Sequence, residues 1–425
     1  MVLYWFRNDL RLNDNPGLVR ALASGEDVLP VYIFDTRCWQ ADEWGHIKTG
    51  SYRTQFLLES VRDLQTQLEE AGGQLVIRTG LPEAILPELA DEWNASNVFA
   101  QAEYTREEVD LEEAVARQLK LHLEHGSTLF HPEDVPMAVE DIPDIFTEFR
   151  KACEKRAKVR PIVELPEDVH FADAPACSVP KLEDFGLEHA AADPRAALAF
   201  KGGSQAGWDR IDHYFWNTEA LSEYKHTRNG LIGPDYSAKL SPWLANGSLS
   251  PREIYWEVQH YEQEVVKNQS TYWLIFELIW RDYFKFVALK YGDRIFWPSG
   301  IKARLKRGLK HARKLEKWIH GETGDAFVDA NMRELMHTGW MSNRGRQNVA
   351  SYLVHDMGLD WRQGASWFES ALLDYDPASN YGNWIYVAGV GNDPRPNRKF
   401  NTARQAEMYD KEGAFRELWL GVEQV

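Results

Sequence analysis

The chain has 425 residues, 44% of them hydrophobic, and a formal net charge of −17. At roughly 150 residues per domain this length holds two or three domains with sizeable cores, and a mean hydropathy of −0.49 fits a soluble chain. No apolar run is long enough to span a bilayer, no secretory leader precedes Tyr4-Trp5-Phe6-Arg7, and the charge excludes a protein that coats nucleic acid indiscriminately.

The first 130 residues alternate between strand and helix patterns. Val2–Phe6 and Val28–Phe34 read as buried strands. Residues 51–71 follow with helical spacing (Phe56, Leu57, Val61, Leu64, Leu68) that stops at Gly72-Gly73. Gln74–Ile77 reads as a strand, 82–92 as a helix, Asn97–Ala100 as a strand and 105–120 as a helix. Such alternation predicts an open, parallel, Rossmann-like α/β sheet over 1–130, with ligands in the crevice beyond its strand ends. Residues 131–204 read as a connection, its Pro161–Pro194 stretch draped over the surface. From about 205 to 425 the pattern is helical throughout. The expected architecture is α/β followed by all-α.

Ordinary cofactor and hydrolase signatures are missing. No GxGxxG follows a strand, and neither GxxxxGK[ST] nor HExxH occurs. The three cysteines, Cys38, Cys153 and Cys177, form no CxxC and cannot ligate a four-cysteine cluster or build a disulfide framework. The cytoplasm is the expected compartment. Four of the 17 tryptophans precede residue 100 and the other thirteen lie from Trp208 onward. In that half, charges, amides and aromatics cluster inside otherwise helical sequence. The clusters are Tyr224–Arg228, Ser237–Pro242, Glu277–Phe284, Met341–Gln347 and Asp374–Trp384. Burying such groups is costly unless a polar ligand pairs with them. Together they imply a large polar and aromatic ligand within a helical bundle.

On these five clusters, and on the opening Leu3–Arg11 with Asp14-Asn15-Pro16, the sequence resembles the photolyase/cryptochrome family and most closely its DASH branch. The resemblance implies FAD in the helical domain. Tyr224 with Ser237, Ala238, Lys239, Leu240 and Ser241 would hold pyrophosphate and ribose, Ala238 standing where the family usually has a hydroxyl. Arg281 and Arg346 would bring positive charge, Asn343 would join the cofactor set, and Asp374 and Asp376 would face the ribityl and adenine sides. Asn380 aligns with the residue beside flavin N5, where protein groups tune the cofactor. Trp384 and Trp361 match the proximal and middle tryptophans of the family's electron chain. The distal position is Gly308, so Trp318, Trp297 or a tyrosine would have to substitute.

The resemblance further implies light-driven repair of cyclobutane pyrimidine dimers by electron transfer from reduced flavin to a flipped lesion. Glu277 would hydrogen-bond the lesion, Trp280 stack on it and Asn343 bond to it. Gln347 and Tyr386 stand where repair enzymes usually carry Met and Trp. A weaker stacking pocket points to single-stranded DNA as the preferred partner, bound by a monomer. Arg228, Arg344 and Gln405 complete the expected DNA-contacting set. The run Lys302–Lys314 has seven Lys/Arg and no acid; it reads either as a phosphate contact, with Arg395, Arg398 and Lys399, or as a solvated face. The antenna expected in the α/β domain is a folate (methenyltetrahydrofolate) or a deazaflavin, with Glu103 placed either to bind folate or simply to charge a helix start. No metal is expected. The competing reading is a blue-light photoreceptor without repair, against which the short sequence beyond Phe415–Leu420 argues.

Overall fold

A computed structural model of the chain describes residues 1–303, 308–395 and 398–421. Five strands run parallel: Val2–Phe6 (β1), Val28–Asp35 (β2), Val76–Gly80 (β3), Asn97–Gln101 (β4) and Leu121–Glu124 (β5). Their order is β3-β2-β1-β4-β5, so the connection reverses direction across β1 and β4. β1 is buried at every position, as a strand covered on both faces must be. Its alternate side chains divide between two cores. Tyr4 and Phe6 pack with Leu18, Val61, Leu64 and Leu68, while Leu3 and Trp5 pack with Leu86, Leu89 and Val115.

The helices Ser51–Glu70 and Pro82–Glu92 lie where the periodicity predicts them. The third ends at Ala116, because 121–124 leaves the helix pattern to become β5. Two further helices were not expected. Pro16–Leu22 starts from an Asn15 cap that accepts the Leu18 N–H. Phe146–Arg156 buries Phe149 and Cys153 inside the stretch read as connection. The rest of that stretch is largely irregular but pinned, Val28 pairing with Phe171 and Val163 exchanging hydrogen bonds with Asp14. From Ser204 on, every regular element among the described residues is helical.

The opening motif turns out to dock one domain on the other. Arg252 donates to both oxygens of fully buried Asp14, the shorter bond 2.6 Å, and Ser250 donates to the same carboxylate. Arg11 reaches the Gly247 carbonyl at 2.8 Å. Gly247 has φ +71°, and a Cβ there would collide with the Asn8 and Asp9 backbone, so only glycine permits this approach. Asp282 also accepts the N–H groups of Leu129 and Phe130, at 2.9 and 2.8 Å.

Candidate functional site

The helix Gln269–Tyr291 organises the site. Glu277, Arg281 and Lys285 recur every four residues and share one face. Glu277 lines a cavity of about 310 Å³ in the helical domain, Lys285 lines a second of about 600 Å³ between the domains, and Arg281 lines both.

The first cavity gathers all the residues assigned to FAD: Tyr224, Ser237–Ser241, Arg281, Asn343, Arg346, Asp374, Asp376 and Asn380 line it. Ser241 and Arg346 donate to one oxygen of Asp374, at 2.7 and 2.9 Å. The other oxygen, Oδ1, is buried without a protein partner. An unsatisfied carboxylate oxygen is costly, and here it sits on a cavity wall where a ligand N–H or hydroxyl would satisfy it. Asp376 caps the helix Pro377–Ala388 by accepting the Ser379 N–H at 2.7 Å, with Lys285 at 3.5 Å. Burial alone would raise its carboxyl, but Lys285, Arg281 and the Ser379 bonds outweigh that and hold it below the usual value.

Arg281 spends its guanidinium on the Ser127 and Leu244 carbonyls, so it braces the domain junction as well as lining the cavity. Lys239 is a non-glycine residue at φ +55°. Its ammonium donates to the Pro234 carbonyl at 2.8 Å above the Tyr236 ring, and burial, then Arg210, brings its pKa down to about 6. Asn380 is anchored by its amide N–H to the Ala365 carbonyl at 3.1 Å. The wall therefore offers cations, amides, hydroxyls and one orphan carboxylate oxygen among aromatic and aliphatic surfaces. That donor set fits a dinucleotide with a flat ring.

Trp384 lines the cavity; Trp361 stands outside it. Both are buried. Trp361 donates to the Pro298 carbonyl at 3.4 Å and lies edge-on to Tyr381, centroids 6.1 Å apart. Trp384 touches fully buried Trp318, 6.2 Å between centroids, and Phe368 at 5.1 Å. Gly308 presses its backbone onto Leu359 and Asp360 so closely that no side chain fits there. Nothing at the distal position could be an aromatic ring in this backbone.

Of the expected lesion-facing residues, Arg228, Glu277, Asn343 and Gln347 line the same cavity, whereas Trp280, Arg344, Tyr386 and Gln405 do not. Arg228 is ion-paired with Glu277. Trp280 has one face stacked on Phe146, 3.6 Å between centroids, and meets Tyr386 edge-on. Phe146 belongs to the helix that the sequence pattern did not reveal. The Tyr386 hydroxyl accepts from Arg398 at 2.8 Å. Arg344 bridges Asn229 and Gln347, and Gln405 accepts from Asn348.

The basic run divides. Residues 304–307 lie outside the described residues. Lys302 donates to the Asp393 carbonyl, beside Arg395 and Arg398, while Lys310 lies over Trp44 of the α/β domain. Lys399 pairs with Asp356.

The second cavity opens at the carboxyl ends of β1 and β2, its walls including Trp5–Asn8 and Tyr32–Asp35. That is where an open parallel sheet binds ligands. Glu103 does not line it. It is buried, accepting from Asn8 and Gln101 at 3.2 and 3.3 Å. Glu107, Glu108 and Asp110 line the cavity instead. Burial, then the Glu103 charge, pushes Glu108 up to about 8.

Residues 2–169 match the family described as DNA photolyase, and residues 273–423 match the FAD binding domain of DNA photolyase. A cryptochrome DASH from Xenopus laevis is 48% identical over 99% of this chain and 82% of its own. The crystal structure of a Synechocystis cryptochrome superposes with a TM-score of 0.96 at 47% identity, covering 99% of this chain and 88% of that one. A class III photolyase from Agrobacterium tumefaciens gives 0.83 at 28% identity, over 99% and 86%. No helix among the described residues is long and apolar enough to cross a membrane. With its doubly covered parallel sheet, its helical FAD-binding domain and these relatives, the chain belongs to the photolyase/cryptochrome family and is similar to the DASH cryptochromes.

Proposed function

We propose that the chain is a light-driven lyase that splits cyclobutane pyrimidine dimers, mainly in single-stranded DNA. The observation that carries this reading is Glu277: a carboxylate at the FAD cavity, with Asn343 and Gln347 on the same wall. Bound reduced FAD would supply the photoexcited electron. The chain's residues do the rest. Arg346 and Ser241 fix Asp374 toward the cofactor, Asn380 is held in one orientation by Ala365, and Glu277 and Asn343 present hydrogen-bonding groups to the pyrimidine edge.

The single-strand preference rests on stacking. Trp280 already spends one face on Phe146, and the Tyr386 hydroxyl is tied to Arg398. Each base–aromatic contact is worth about 1–3 kcal/mol, against a few kcal/mol to unpair and flip a base from a duplex. A pocket short of one stacking face favours strands that need no unpairing. The same occupied face supports the runner-up, a blue-light photoreceptor that holds nucleic acid without repairing it.

The deciding experiment measures dimer repair on single-stranded and duplex oligonucleotides with FAD reduced, under blue light and in darkness. Light-dependent repair that Glu277→Ala lowers at least tenfold, favouring single strands, is expected. Equal turnover on duplex ends the strand preference, and full FAD occupancy with repair on neither substrate moves the assignment to the photoreceptor.

For the antenna, we assign a reduced folate to the interdomain cavity, with Glu107, Glu108 and Asp110 rather than Glu103 as its carboxylate neighbours. Protein reconstituted with methenyltetrahydrofolate should show the folate absorbance band. Glu107→Gln should weaken that binding more than Glu103→Gln does, and a deazaflavin band in preference to folate would reverse the assignment.

A further inference from the structure

Glu277 meets the cavity already neutralised. Arg228 holds its carboxylate, with side-chain exposures of 22% for the arginine and 30% for the glutamate. The Arg228 guanidinium also leans on the Trp273 ring, 5.5 Å from its centroid, where Lys225 sits at 4.7 Å. Across the mouth Arg344 feels the repulsion of Arg228 and of Arg398; burial, offset in part by Tyr409, and then these two like charges lower its pKa. Arg228 is paired with Glu277 and Arg398 with Asp393, while Arg344 holds the amide oxygens of Asn229 and Gln347, so a phosphate beside Arg344 and Arg228 would relieve their repulsion.

A thymine edge asks something different of Glu277. Its carbonyl is an acceptor and its ring N–H a donor; an ionised carboxylate, being acceptor-only, meets just the N–H, whereas a protonated carboxyl donates to the carbonyl and still accepts from the N–H. The carboxyl that best meets a flipped pyrimidine is therefore the neutral one, and Arg228 in its present position opposes that form.

We propose that Arg228 is a latch. In the free protein it neutralises Glu277; a backbone phosphate of the incoming strand draws it away, and Glu277 takes one proton from solvent and meets the lesion as a hydrogen-bond donor. The proposal rests on the lyase reading of the site. The groups around Glu277 support it. Burial raises its carboxyl, and Arg228, first among the opposing groups, pulls the other way. Tyr224, whose phenol is raised by burial and then by Glu277, stays neutral. Arg281, one turn on, is committed to the Ser127 and Leu244 carbonyls. Arg344, across the mouth, is committed to Asn229 and Gln347. Removing Arg228 leaves no cation free to replace it among these neighbours.

The test uses the FAD-loaded full chain and a single-stranded oligonucleotide carrying one thymine dimer. Calorimetry in buffers of different ionisation heat counts the protons exchanged on binding. Uptake approaching about one proton per lesion bound is expected at neutral pH, and none with Glu277→Gln. Arg228→Met should weaken binding roughly tenfold and abolish the uptake, because Glu277 is then protonated beforehand. Isotope-edited infrared spectra of the DNA-free protein read that state directly: the protonated-carboxyl band should be present in Arg228→Met, absent in wild type and lost again in the double variant. Binding with no proton uptake, or uptake that survives Glu277→Gln, overturns the latch even if repair proceeds. Proton-coupled lesion binding without repair keeps the latch and removes the lyase. A chain with no affinity for the lesion strand ends both.

Discussion

Asp374 has one carboxylate oxygen bonded twice and the other not at all. Removing Arg346 would leave this buried charge with a single hydroxyl for company. Arg346→Met should therefore cost about 3 kcal/mol, read as a lower unfolding midpoint and loss of FAD from purified protein. Glu334, fully buried in the helix Ala326–Thr338, tests the opposite situation. Burial raises its carboxyl to about 8, against the pull of Lys239 and Arg346. An unfolded glutamate releases its proton near 4.5, so between those values the folded chain holds the extra proton and each rise in pH costs stability. Wild type should lose up to about 1.4 kcal/mol per pH unit relative to Glu334→Gln as pH rises from about 5 to about 8. Denaturant unfolding of the pair across that range shows it; parallel curves would place Glu334 ionised throughout. At this scale the family resemblance pointed to Asp374, Asp376 and Arg346, which all line the first cavity. It did not show that Arg281 braces the domain junction or that Glu103 turns to Asn8, because partners 154 and 95 residues away leave no local pattern.

The helix Gln269–Tyr291 shows how much one element carries: Glu277 for Arg228 at the first cavity, Arg281 and Asp282 for the domain junction, Lys285 for Asp376. Its four-residue spacing was legible, its division of labour was not. β5 escaped because Leu121–Glu124 is a four-residue edge strand, half-buried and mixed in polarity, which resembles a helix end as much as a strand. Phe146–Arg156 escaped because prolines and acids on either side masked its Phe146, Phe149, Cys153 stripe. Pro16–Leu22 was missed although Asn15-Pro16, a cap followed by proline at the first helical position, signals its start. Gly308 was recognised as a gap in the tryptophan chain, and its backbone contact with Asp360 explains the gap. Restoring the ring should do harm. Gly308→Trp is expected to cost about 1–3 kcal/mol through backbone displacement and to leave flavin photoreduction no faster, whereas Trp384→Phe should slow it sharply; flash spectroscopy and thermal unfolding on the same samples check both.

Over the whole molecule the net charge is −17, against which Arg228, Arg344 and Arg398 form a local group of cations. Affinity for single-stranded DNA should fall with salt at a log–log slope of about −0.7 for each phosphate engaged, and lose about one such unit in Arg344→Gln. A flat salt response would locate the strand elsewhere. The α/β-then-helical order was legible from pattern alone, since strand alternation and helical periodicity are local. How the halves meet was not, for it depends on Asp14 finding Arg252 and Asp282 finding Leu129, pairings over 238 and 153 positions. Those contacts also set what the covalent link between the halves is worth. Glu188, His189, Ala191 and Ala192 are exposed in a stretch without regular structure, a ready substrate for a protease. A single cut there severs the polypeptide while leaving every junction contact intact. The two fragments should co-purify, keep FAD and melt as one body, so that this photoprotein tolerates being made in two pieces.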